Sequence, residues 1–75
     1  MKPGDLVRIH PARSRDQYGD LAVYNLFNPG IGRNTIGTFT ANEVGIFLSE
    51  GGTMSKVIVN GVIGLIHTHF IQVVE

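Results

Sequence analysis

The chain contains no cysteine and no tryptophan, and only 16% of its residues are charged. Without cysteine there is no disulfide staple, no thiolate metal site and no thiol nucleophile. Three histidines are too few and too scattered for a structural zinc site. Six basic residues offset six acidic ones, which argues against a general polyphosphate binder. No apolar run approaches the ~20 residues of a membrane span. The opening Met1-Lys2-Pro3-Gly4-Asp5 lacks the apolar stretch of a secretory signal, and with the missing cysteine this points to the cytoplasm.

Catalytic motifs are missing too. There is no Gly-x-Ser-x-Gly elbow and no phosphate-cradling glycine loop ending in lysine. Gly30-Ile31-Gly32 lacks the third glycine and the strand-to-helix setting of a dinucleotide fingerprint. Asp16 and Asp20 read as solvated loop acids, because paired carboxylates do acid–base work only where the environment separates their pKa values. The expectation is a protein without enzymatic activity and without a cofactor.

What is present is β-forming. Of 75 residues 43% are apolar, and valine and isoleucine supply eight each, against five leucines and three alanines. β-Branched side chains lose χ1 freedom in helices and pack well on a pleated sheet. Ten glycines add turn and bulge capacity. A chain this short buries only about 60% of the surface its unfolded form exposes, so a single marginal domain spanning 1–75 is expected.

Alternation marks a first strand over 5–10, with Val7 and Ile9 on one face, opened by Pro3-Gly4 and ended by Pro11. From 11 to 36 the pattern dissolves into what reads as a long irregular loop. Ser14-Arg15-Asp16-Gln17 has the form of a helix capping box, although Gly19 follows too soon for a long helix. Residues 21–27 are apolar on both alternating faces, and we read them as a short strand. Strands return over 35–40 and 44–50. Lys56-Val57-Ile58-Val59, then Asn60-Gly61, then Val62-Ile63-Gly64-Leu65-Ile66 reads as a two-residue hairpin pairing Val59 with Val62 and Ile58 with Ile63. A last short strand covers 71–74.

The stretch from Gly64 through Leu65, Ile66, His67, Thr68, His69 and Phe70 to Ile71-Gln72-Val73-Val74 resembles the C-terminal signature of SH3 domains. There, a glycine and an apolar residue lead into a 3₁₀ turn bearing an aromatic, and a closing strand follows. Gly4-Asp5-Leu6-Val7-Arg8-Ile9 is similar to the opening strand of bacterial and phage SH3-like small barrels. Val44-Gly45-Ile46-Phe47 fits their middle strand, and Asn60-Gly61 stands where they have the distal hairpin. The resemblance covers roughly the first ten residues and the last thirty. It implies an all-β, SH3-like small barrel of five to six short antiparallel strands, with a long loop after strand 1 and a 3₁₀ turn before the last strand. It also implies a phage or bacterial origin. The chain departs from the family in having no tryptophan, in His67 where the 3₁₀ turn usually has proline, and in Phe70 in place of tyrosine. Proline-peptide recognition stacks aromatic rings on a preformed polyproline helix, so the missing ring argues against such ligands.

The function this implies is a non-enzymatic protein–protein interaction module. Tyr18 and Tyr24 from the long loop, with Leu65, His67 and Phe70 around the 3₁₀ turn, are its candidate partner-binding residues; Phe70 reads equally as core. From Val57 through Val74 there is no charged residue. Val57, Val59, Val62 and Ile66 should fill the core, which leaves Ile58, Ile63 and Leu65 as an apolar patch on the opposite face. Such a patch is covered either by the 11–36 segment or by a second copy of the chain, hence an expectation of homo-oligomers.

The runner-up is nucleic-acid binding through Arg8, Arg13, Arg15 and Arg33, interleaved with Tyr18 and Tyr24 as in single-strand sites. Asp5, Asp16 and Asp20 offset three of those four charges. More distant is a metal site at His10, His67 and His69, since a 3₁₀ turn would splay the last two rings.

Overall fold

The computed structural model describes residues 1–30, 32 and 34–74. Seven strands follow in chain order: β1 (Leu6–Ile9), β2 (Val23–Phe27), β3 (Thr35–Thr40), β4 (Gly45–Gly51), β5 (Met54–Val59), β6 (Val62–His67) and β7 (Ile71–Val73). All pairings are antiparallel, in the order β3-β2-β6-β5-β4-β1-β7, and the sheet curls into a half-barrel. Two short 3₁₀ turns interrupt the chain, Pro11–Arg13 after β1 and Thr68–Phe70 before β7. The all-β expectation is met, but the described residues form seven strands instead of five to six.

The hairpin has the register its sequence implies, Val59 opposite Val62 and Ile58 opposite Ile63. Asn60 (φ 52°) and Gly61 (φ 79°) occupy the left-handed region that a two-residue turn of this hand requires. Alternation then sorts side chains to two faces. Val7, Ile9, Leu26, Phe39, Phe47, Val57, Val59, Ile66 and Ile71 point inward as one buried cluster. Ser55 is the one buried polar residue among those described, and its hydroxyl lies 2.7 Å from that of Thr68, fastening β5 to the second 3₁₀ turn.

Curling the sheet brings backbones together where no side chain fits. A Cβ on Gly64 would lie 2.7 Å from Leu26 Cβ, and one on Gly45 would lie 2.9 Å from the Ile58 carbonyl oxygen. These two glycines let β2 approach β6 and let β4 approach β5.

The segment 11–36 is not irregular throughout. Its β2 pairs along its length with β3 and meets β6 at Phe27–Leu65, so it joins the hairpin to the edge strand. The capping-box pattern makes no helix. Ser14 Oγ donates to the Pro11 carbonyl at 2.8 Å, and Asp16 Oδ1 accepts the N–H groups of Tyr18 and Asp20. Those side chains satisfy the backbone of a tight turn, closed by an Arg15–Leu21 bridge, which competes directly with helix formation.

Candidate binding groove

The second 3₁₀ turn determines the geometry of the site. It swings Phe70 against the core, and the His10 N–H bonds its carbonyl at 2.7 Å, tying the turn to the end of β1. Tyr24, from β2, meets it with ring centroids 4.7 Å apart. The Tyr24 hydroxyl donates to the Arg13 carbonyl at 2.8 Å, and the Arg13 guanidinium sits 5.0 Å above the Phe70 ring. His69 and His67 approach the same ring at 4.8 and 5.3 Å. Phe70 is therefore the hub of three other rings and one cation, half-buried instead of sealed in the core.

Two hollows flank this cluster. One, of about 320 Å³, lies where β2 and β6 diverge beyond their Phe27–Leu65 contact, and its walls include Tyr24, Asn25, Phe27, His67 and Phe70. The other, of about 430 Å³, is lined by Phe27, Asn28, Met54, Leu65 and His67, together with Gly30, Gly32 and Thr53. Phe27 and His67 line both, so the two hollows adjoin, and together we call them the groove. Apolar Phe27, Met54 and Leu65 and polar Asn28 and His67 thus line it together.

Tyr24, Leu65, His67 and Phe70 are thus brought together, while Tyr18 lies 80% exposed on the 16–20 turn and lines neither hollow. Ile58 and Ile63 lie outside the groove. Leu65 shares their face of the hairpin, but its pairing with Phe27 of β2 makes it part of the groove wall. Among the arginines, Arg13 stacks on Phe70, Arg8 faces Gln72 across the β1–β7 pair, and Arg15 donates to the Gly19 carbonyl at 3.4 Å. Arg33 lies outside the described residues. The histidines divide as well. His67 and His69 have ring centroids 5.3 Å apart, whereas His10 Nδ1 accepts the Ala12 N–H and caps the first 3₁₀ turn. Among the described residues no three His, Cys, Asp or Glu are grouped to hold a metal ion, and no helix is long and apolar enough to cross a membrane.

Phe27, Met54 and Asn28 escaped the sequence reading. Phe27 closes the ambiguous 21–27 run, and its partner Leu65 is remote in sequence, so no local signal marks it. Compared with known families, curated proteins and solved structures, the chain finds no match in any of the three.

Proposed function

We propose that this protein is a non-enzymatic, SH3-like interaction module that binds a protein segment in the groove between Tyr24, Phe27, Leu65, His67 and Phe70. The observation that supports this most directly is the shared wall. Phe27 and His67 serve two adjoining hollows, so an extended segment has two side-chain sites in line. Ring faces at Tyr24 and Phe70 supply rigid contact area at low entropic cost, as binding surfaces commonly do. His67 and Asn28 add hydrogen-bonding capacity to the groove's lining.

A second reading has its own observation. Arg13 stacked over Phe70 beside Tyr24 is an arrangement that also suits an unstacked base. Net neutrality favours the protein ligand, since a phosphate backbone gains most from a surplus of cations.

One experiment separates the two. A random peptide library is selected on the immobilised protein, and recovered peptides and a short single-stranded oligonucleotide are titrated at low salt while amide NMR shifts are followed. Peptide-induced shifts centred on Tyr24, Phe27, His67 and Phe70 are expected. Failure to recover any peptide, or saturable shifts with the oligonucleotide alone, would overturn the reading.

A further inference from the structure

The outer face of the sheet carries a second feature, which begins where Ile63 precedes the groove residue Leu65 on the same face of β6. The register sets Leu6 opposite Ile46, Ile46 opposite Ile58, and Ile58 opposite Ile63. Residues directly opposed across strands share a face and touch, so these four form one unbroken apolar row across β1, β4, β5 and β6. Leu6 is 50%, Ile46 40% and Ile63 45% exposed, and Val44, beside the row, is 52% exposed. The two hollows lie farther along, around Phe27 and His67. Arg8, two residues from Leu6, and Lys56, two from Ile58, border the row.

We propose that this row is the contact surface of a reversible homodimer, with the occupant a second copy of this chain. Three observations select a second copy. The surface is a row of branched side chains on one sheet face, which suits another sheet face packed about 10 Å away. The chain carries no net charge, so two copies meet without net repulsion. The row is also self-complementary. A two-fold axis along the strands, between β4 and β5, lays Ile46 of one copy on Ile58 of the other and Leu6 on Ile63. The same axis brings Arg8 of one copy to the 60–61 turn of the other, where the Glu43 carboxylate holds Asn60.

Size determines the strength. Three strand spacings of about 4.8 Å make the row about 15 Å long. With its flanks it covers on the order of half the ~800 Å² per partner of a standard stable interface. The dimer is therefore weak and concentration-dependent.

The test is sedimentation velocity on the full chain from micromolar to millimolar concentration, with thermal melts to verify folding of each variant. The wild type shifts from monomer to dimer across that range. Ile46→Asp and Leu6→Asp each weaken the dimer about tenfold or more. Arg8→Glu weakens it without altering the row and, being at an exposed position, keeps the fold. His67→Ala leaves it unchanged, which separates this surface from the groove. A wild type monomeric throughout, a dimer that survives all three row and border variants, or one lost with His67→Ala would each overturn the proposal.

Discussion

Glu43 Oε1 accepts the backbone N–H of Thr40 at 2.8 Å, and the Glu43 N–H returns a bond to the Thr40 carbonyl at 2.9 Å. Thr40 ends β3, an edge strand. Ala41 donates to the Ala22 carbonyl, so ladder bonds to β2 fall at odd positions here and Thr40 points its polar groups outward. Unpaired edge groups are templates for aggregation, and Glu43 closes this end of the edge. Its other oxygen holds Asn60 in the β5–β6 turn.

These bonds make stability depend on pH. The Thr40 N–H, then the Asn60 amide, hold the Glu43 carboxyl below its ordinary value of 4.5. A carboxylate with a lowered folded pKa contributes stability that is fully present above its unfolded value. That contribution disappears as pH falls through the lowered value. Chemical denaturation at a series of pH values should show the midpoint falling below about pH 4.5 in the wild type. Glu43→Gln should be less stable at pH 7 and show a shallower fall, the difference remaining small because the site faces solvent. Parallel curves for the two proteins would remove Glu43 from the account.

Gly64 is required by space. With a Cβ 2.7 Å from Leu26 Cβ, Gly64→Ala must push β2 from β6 or displace Leu26 in the core. Overpacking of this kind destabilises by about 1–3 kcal/mol. Gly51→Ala is the matched control, since nothing lies within 4 Å of its added Cβ. Equal denaturation midpoints for the two variants would refute the close approach of β2 and β6.

Tyr24 couples the groove to the loop before it through one hydroxyl bond to the Arg13 carbonyl. Tyr24→Phe keeps the ring against Phe70 and should reduce stability by about 0.5–1.5 kcal/mol. Phe70→Ala, which removes the hub, should lower stability further and abolish peptide-induced shifts. If Tyr24→Phe alone abolished them, the hydroxyl rather than the ring would be the binding element.

Local patterns were legible where one physical rule acts over a few residues. Alternation located β1, β3, β4 and β5–β6, and Asn60-Gly61 specified both turn and register, because positive φ at both positions restricts that site to such residues. The pattern was ambiguous over 21–27, where both alternating faces are apolar. Leu26 is sealed in the core while Phe27 walls the groove, so each face has its own neighbour. In the same way Ser14-Arg15-Asp16-Gln17 satisfies the rule for a helix start, yet Asp16 serves a turn instead.

The low charge of the chain and its uncharged run from Val57 through Val74 were properties of the sequence alone, as were the β-forming bias and the hairpin. Which of those apolar residues are covered depends on register between strands far apart in sequence. The Phe27–Leu65 pairing draws Leu65 into a groove, and the pairing of Leu6, Ile46, Ile58 and Ile63 joins three exposed residues and half-buried Ile58 into one row. Strand alternation assigns each side chain to a face, whereas its neighbours across that face exist only once the sheet has closed.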